Sequence, residues 1–330
     1  MTIREVADIA GVSPASVSRY FNGGSLGDDK RERIARVVRD TGFRPNAAAR
    51  AVRTGKSGQI GVIVPQIGSD SMVQIMAGVE RELGKSGETI IFGCTDGKSE
   101  KELKLISTMQ ENGVDGILLM AVKLTPELRS AIEECEVPLV VTGQNFPGLP
   151  CVYHDDCNAM RELTELVIAR NRRRILYLGV DDEDPAAGQE RLKGVKKACD
   201  RAGITDDELH VCKGGFTFEE GRRAVTDELE KNKDYNAVIC ASDYAALGAI
   251  RALTDAGLNI PGDVSVVGIG DNWAGELVKP GLTSAHLYYD DCGATATRML
   301  KRMIEKGRDS KQEPVKQVKL GYTITERGSV

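Results

Sequence analysis

The chain holds 330 residues with a formal net charge of −5, 41% hydrophobic and 5% aromatic residues, and eight scattered cysteines. That length suits two or three domains with ordinary cores. No apolar run approaches the ~18 residues that cross a bilayer, no signal peptide opens the chain, and no C-x-x-C pair occurs, so the expectation is a cytoplasmic protein with buried thiols, no membrane partner and no metal. The charge is unevenly divided. Residues 1–56 carry 11 Lys and Arg against 6 Asp and Glu, net +5, whereas the remainder carries 33 against 43, net −10. A basic head on an acidic body points to a polyanion-binding module joined to one that avoids polyanions.

Thr2 followed by Glu5 is a capping box and predicts a first helix from Ile3, with Val6, Ile9 and Ala10 as its apolar stripe. Gly11 ends that helix, and Ser13 with Pro14 starts the next as N-cap and first helical residue. Ala7, Gly11 and Val17 have the spacing of a helix-turn-helix, and a third helix from Asp28 or Asp29 to Gly42 adds Ile34, Val37 and Val38 to a three-helix core. The small residues of the second helix allow its backbone to approach a major groove ≈ 12 Å wide. Ala15, Ser16 and Arg19 are the expected base readers, Arg19 through a bidentate contact to guanine. Ser13, Ser18 and Asn22 suit phosphate oxygens, and Thr2 and Pro14 complete the DNA-facing set. A hairpin that docks another protein is the alternative.

The next stretch, FRPNAAARAVRTGKS (Phe43 to Ser57), predicts a short helix over Ala47 to Arg53, capped by Asn46. It is too short to be stable alone, so it reads as a hinge that folds against DNA and a second subunit, or else as a solvated linker.

From Ile60 onward, apolar strands alternate with amphipathic helices. IGVIV (60–64), TIIFGC (89–94), GILLM (116–120) and PLVVT (138–142) form one series; RILYLG (174–179), AVICA (237–241) and SVVGI (265–269) form another. Helices are expected between them, Met72 to Lys85 and Ala245 to Ala256 among them. Two such series imply two parallel sheets flanked by helices, with a cleft at the strand C-termini. Polar residues just past strand ends are the ligand candidates: Gln66, Ser69, Asp70, Ser242, Asp243 and Asp271, with the lone tryptophan, Trp273, offering a ring face to a sugar.

VADIAGVSPASVSRYFNG, then RPNAAARAVRTGKS, then a body closing on CASDYAALGAIRAL, DVSVVGIGD and TITERGS, resembles the LacI/GalR (lactose-repressor/galactose-repressor) family over essentially the whole chain. The resemblance implies an α/β chain: a three-helix helix-turn-helix DNA-binding domain over 1–45, a hinge helix and linker over 46–58, and a two-lobed periplasmic-binding-protein-like core over 59–330. It implies three crossings between lobes, near Asp156, Ala285 and Lys311, giving lobes of about 59–155 with 286–310 and 156–285 with 311–330. By motif position, Val52 takes the place of the minor-groove leucine wedge, with Ala49 beside it. Arg191, in QERLKG, falls where the family carries its effector-binding arginine, and Tyr289 where relatives place a pocket aromatic. Phe43 stands where an aromatic hydroxyl is common, Ser69-Asp70-Ser71-Met72 replaces an asparagine-proline-diphenylalanine run, putting Met72 at the pocket, and Gly270 replaces an aspartate now found at Asp271.

CVYHDD and YLGV look like the trehalose-type branch, implying a disaccharide or its phosphate; Gln66 in place of a phosphate-holding arginine favours a neutral sugar. The implied function is a homodimeric repressor of carbohydrate genes on a pseudo-palindromic operator, with a small sugar effector and no cofactor. Alternatives are a cytoplasmic sugar-binding protein without DNA activity, or a regulator with a non-sugar co-repressor. Enzyme readings are weak. VVGIGDNWAG has G-x-G without a third glycine, no G-x-S-x-G accompanies the three histidines, and alternating side chains turn His154-Asp155-Asp156 to opposite sides, which favours strand-end capping over a metal. No catalytic residue is expected.

Overall fold

A computed structural model describes residues 1–21, 23–43, 55–231, 234–307 and 314–330. The chain forms two compact units, Met1–Gln59 and Ile60–Val330.

The first unit is built from α1 (Ile3–Ala10), α2 (Pro14–Phe21) and α3 (Asp28–Thr41). The Thr2 hydroxyl accepts from the Glu5 amide at 3.2 Å while Glu5 accepts from the Thr2 amide at 2.7 Å, closing the capping box. Gly11 is left-handed at φ 62°, so the chain reverses into α2, where Ser13 Oγ accepts from the Ser16 amide at 3.3 Å. The core is Val6, Ala7, Ala10, Val17, Ile34, Val37 and Phe43. The α1 stripe differs from the expected one. Ala7 is buried and Ile9 is 60% exposed, because α2 and α3 cover the face at positions 3, 6, 7 and 10. Val38 is only partly buried, and Phe43 closes the base of the core, its ring 5.8 Å from that of Phe21.

The second unit holds two six-stranded sheets. The first contains β1 (Gln59–Val64), β2 (Thr89–Cys94), β3 (Gly116–Leu119), β4 (Leu139–Thr142), β5 (Cys151–His154) and β11 (Gln317–Leu320), in the order β11-β5-β4-β3-β1-β2. The second contains β6 (Ile175–Gly179), β7 (Leu209–Lys213), β8 (Ala237–Cys240), β9 (Ser265–Ile269), β10 (Thr283–Leu287) and β12 (Tyr322–Thr325), in the order β12-β10-β9-β8-β6-β7. β12 pairs antiparallel with β10, while β6, β8, β9 and β10 run parallel. Central strands are buried throughout, as Ile175–Gly179 and Ala237–Cys240 are, which fits parallel sheets covered on both faces.

Helices follow the strands: α4 (Asp70–Gly84), α5 (Ser99–Glu111), α6 (Pro126–Glu133), α7 (Asp156–Ala169), α8 (Arg191–Arg201), α9 (Phe218–Lys231), α10 (Asp243–Asp255), α11 (Ala274–Leu277) and α12 (Tyr289–Lys306). The chain passes between the sheets after β5, after β10 and between β11 and β12. The third passage, expected near Lys311, comes later. Gln317–Leu320 first pair in parallel with Cys151–His154, and only then does the chain turn into the second sheet. α12 returns to the first lobe and crosses α4 at two glycines. A Cβ on Gly78 would lie 1.9 Å from the Asp290 carbonyl, and one on Gly293 would lie 2.0 Å from that of Ile75, so only glycine permits this backbone contact.

Candidate functional site

On the first unit, α2 presents Ser13, Pro14, Ala15 and Arg19 to the exterior, with Ser18 half-buried. Thr2 is exposed and spends its side chain on the α1 cap. Ser16, expected to read bases, is 5% exposed, and its hydroxyl lies 3.0 Å from that of Ser13. It points inward because the third residue of a helix beginning at Pro14 faces the α1–α3 core, so its part is to hold the N-cap. Asn22, Asn46, Ala49 and Val52 lie outside the described residues, as does the expected hinge helix.

In the second unit, first residues of helices meet at the junction of the lobes. Asp156 opens α7 and Arg191 opens α8. The guanidinium donates through Nε to Asp156 Oδ1 at 2.8 Å and through Nη1 to the Ala241 carbonyl just past β8. The side chains are only 9% (Arg191) and 4% (Asp156) exposed. Burial disfavours the Arg191 charge, yet Asp156, and the neighbouring Tyr289 and Asp184, more than restore it, so its pKa is raised.

A glycine makes this meeting possible. A Cβ on Gly194 of α8 would lie 2.2 Å from the Cys157 carbonyl of α7, so the two helices touch backbone to backbone one turn below the ion pair. Before Arg191 the chain makes a six-residue π turn, Pro185–Glu190, capped by Asp184, whose Oδ1 accepts from the amides of Ala186 and Ala187 at 3.0 Å each. A π turn widens a helix by one residue and so re-aims the side chain that comes after it, which in this chain is Arg191.

Tyr289 opens α12, its ring 5.0 Å from that of His154, and burial pushes its hydroxyl up to about 12 against the pull of Arg191. His154 is 5% exposed, and burial lowers its pKa, although Asp156 pulls the other way; its Nε2 has no partner among the described residues.

Asp243 and Ser242 do other work. Asp243 opens α10 and is 3% exposed; it accepts from the Asn272 amide and the Ser284 hydroxyl, both at 2.6 Å. Burial raises its pKa to about 6, partly offset by those two donors. Ser242 caps α10 and donates to the Phe216 carbonyl at 3.2 Å. Asp271, left-handed at φ 54°, joins His286 Nδ1 at 3.2 Å, Thr325 Oγ1 at 3.1 Å and Arg327 Nη1 at 2.8 Å, tying together β10, β12 and the segment after it. These carboxylates clamp the loop after β9.

In the first lobe, Ser69 caps α4, Asp70 accepts from Gln74 at 2.8 Å, Met72 packs in the core, and Gln66 is exposed in the loop after β1. Trp273 is 68% exposed beside α11.

A cavity of about 320 Å³ opens at the lobe junction, walled by Gln144, Tyr153, His154, Asp155, Asp156, Ala186, Gln189 and Lys319 among others. A second, of about 540 Å³, shares Asn145, Pro185 and Gln189 with it and reaches Lys123 and Asp182. None of the residues expected to hold an effector lines either cavity. Arg191 stands next to the first through its partner Asp156, and Tyr289 through His154. Asp156, Gln144 and Asp184 do not belong to the expected set. The one sequence signal for Asp156 is its place in HDD directly after CVY, where a crossing between lobes is expected.

Residues 2–46 match the bacterial regulatory proteins of the lacI family, and residues 164–330 match the periplasmic binding protein-like domain. The HTH-type transcriptional regulator RegA of Clostridium saccharobutylicum is 32% identical over 92% of this chain and 93% of that protein. The chain belongs to the lacI family. Catabolite control protein A of Priestia megaterium is 30% identical over 93% of each chain. Among solved structures, a transcriptional regulator CelR–cellobiose complex superposes with a TM-score of 0.74 at 26% identity, covering both chains completely. The lac repressor dimer bound to operator and an anti-inducer gives 0.86 at 22% identity over 100% of this chain and 98% of that one, which shows the shared fold. This lacI-family member is thus a DNA-binding transcription regulator and not an enzyme. Among the described residues no helix is long and apolar enough to cross a membrane.

Proposed function

We propose that this lacI-family chain is a cytoplasmic, homodimeric repressor of carbohydrate-utilisation genes, released from or recruited to a pseudo-palindromic operator by a neutral sugar bound between its lobes. The observation that carries the reading is the pairing, in one chain, of a net +5 head whose exposed α2 face holds Ser13, Ala15 and Arg19 with a two-lobed unit that has a polar cavity at its lobe junction. Ala15 and Arg19 read bases in the major groove, and Ser13 and Ser18 hold phosphates. Asn46, Ala49 and Val52 serve the hinge at the central minor groove. Arg191 and Tyr289 act from behind Asp156 and His154 rather than as the first layer of the pocket. A disaccharide is the favoured class, consistent with the CelR–cellobiose relative.

Fluorescence anisotropy with a genome-derived pool of palindromic duplexes tests the DNA half. Steeply salt-dependent binding that selects particular duplexes is expected, and binding without selection refutes it. Titrating cellobiose, sucrose, trehalose and trehalose phosphate into the selected complex tests the effector half. A change in operator affinity with a neutral disaccharide supports the reading, and a response to trehalose phosphate alone refutes the neutral-sugar assignment.

A further inference from the structure

Gln144 lies just past β4 in the first lobe and is 6% exposed, an unusual burial for a glutamine in a loop. Its amide reaches the other lobe with both ends. Nε2 donates to Asp184 Oδ1 at 2.8 Å, and Oε1 accepts from the Ala186 amide at 3.1 Å. Asp184 is the cap of the π turn, so its carboxylate serves the turn's two free amides and the opposite lobe at once. Beside this pair, Lys123 of the first lobe meets Glu183 of the second at 2.9 Å, but with 47% and 65% exposure that ion pair adds little. A buried amide satisfied at both ends, one of them by a carboxylate, is costly to separate, because each freed group must find water. The turn leads directly into Arg191.

We infer that Gln144 is a cross-lobe positioning residue: it locks the π turn, and through it Arg191, only when the lobes are together. Lobe separation breaks both of its hydrogen bonds, leaves the Ala186 amide with Asp184 as its one remaining acceptor, takes from that carboxylate its cross-lobe donor, and so relaxes the turn that aims Arg191 at Asp156. The side chain therefore reports lobe closure to the junction without touching DNA. Its consequence for regulation rests on the effector reading above, whereas the lock itself does not and is tested without any ligand.

The test is residue-resolved amide exchange on the full-length protein, comparing wild type with Gln144→Ala and Gln144→Glu. Glutamate fills the same space and still accepts from Ala186, but it cannot donate to Asp184 and sets a second carboxylate against it. The lock predicts that the amides of Ala186 and Ala187 exchange at least about tenfold faster in both variants, with the amides of β6 unchanged. Unchanged β6 protection also shows that the variants are folded. Wild-type exchange in Gln144→Glu with faster exchange in Gln144→Ala would mean that filling the space and accepting from Ala186 suffice without the bond to Asp184, and would overturn the inference, as would unchanged exchange in both. With the lock established, loss of the operator response in a Gln144→Ala variant that still binds cellobiose extends it to regulation, whereas loss of cellobiose binding itself would make Gln144 a ligand contact of the cavity wall and overturn that extension; a wild type deaf to every sugar sinks the effector reading and leaves the lock standing.

Discussion

Removing the Asp156 carboxylate alone should be among the most damaging single changes in the effector-binding unit. At 2.8 Å and an effective dielectric of about 20, the Asp156–Arg191 attraction is of order 6 kcal/mol, set against the several kcal/mol of desolvating each ion. The pair as a whole is therefore close to balanced, but either partner without the other leaves a charge buried behind a 9% or 4% exposed side chain. Asp156→Leu should cost about 3–5 kcal/mol. With a denaturant slope of about 3 kcal/mol per molar, the urea midpoint falls by about 1–1.7 M. The double variant Asp156→Leu with Arg191→Met removes both charges and should regain at least about half of that loss, the Ala241 carbonyl alone being left unpaired. Far-UV circular dichroism of the full-length protein in urea measures both. A single variant within about 1 kcal/mol of wild type, or a double variant no better than the single, would refute the view that mutual compensation holds this pair in place.

Asp243 makes a second test, this time of pH. Its folded pKa of about 6 lies above the unfolded value of 3.8, so its contribution to stability is fully present below about pH 4 and is lost as the pH rises through 6. The loss is of order 3 kcal/mol. Asp243→Asn keeps one acceptor for Asn272 or Ser284 and should flatten this part of the profile; parallel wild-type and variant profiles from pH 4 to 7.5 would contradict the shift. Gly194→Ala should force α7 and α8 apart at the Cys157 carbonyl and destabilise by roughly 2–3 kcal/mol in thermal denaturation, and an unchanged melting temperature would show that the crossing yields freely. Arg19→Ala should cut discrimination between cognate and substituted operators by about 1–3 kcal/mol at one base pair while leaving the response to sugar intact; preserved selectivity in competition anisotropy would remove Arg19 from the reading set.

Local rules carry the DNA-binding head far. The Thr2–Glu5 box, Gly11, Ser13 and Pro14 act within a few residues, so the helix starts and the left-handed reversal are readable from spacing alone. The features that spacing misses there depend on the third dimension. Ile9 and Ala7 compete for the same stripe, and only the placement of α2 and α3 decides that Ala7 is covered. In the body, continuous apolar runs such as AVIC and SVVGI announce buried parallel strands. The amphipathic or exposed strands do not. LHVCK lies at a sheet edge and QVKL alternates, so neither carries the apolar run that marks the others. The pocket is the least legible part. Polar residues after strand ends are sound candidates in kind, but Ser69, Ser242 and Asp243 are taken up by caps and loop clamps. The residues that do line the cavity, Gln144 and Asp156 among them, come together only through crossings between lobes, and sequence distance hides those.

The charge pattern at those helix starts bears on what the cleft can hold. A helix N-terminus carries a partial positive charge and is a ready site for an anion. Here α4, α7 and α10 each carry an aspartate in the first turn, Asp70, Asp156 and Asp243, and the free amides of the π turn are held by the Asp184 carboxylate. Arg191, the buried cation, is likewise matched by Asp156. At the first cavity, Lys193 and Lys319 are paired with Glu190 and Asp155 at 2.7 and 2.9 Å. A phosphate arriving there would have to displace a carboxylate from a donor it already holds, whereas a hydroxyl-bearing neutral ligand can add hydrogen bonds without displacing one. The π-turn amides, Arg191 and the two lysines at this cavity are thus already matched by the protein's own carboxylates, and that is the physical ground on which the proposed effector is a neutral sugar rather than its phosphate.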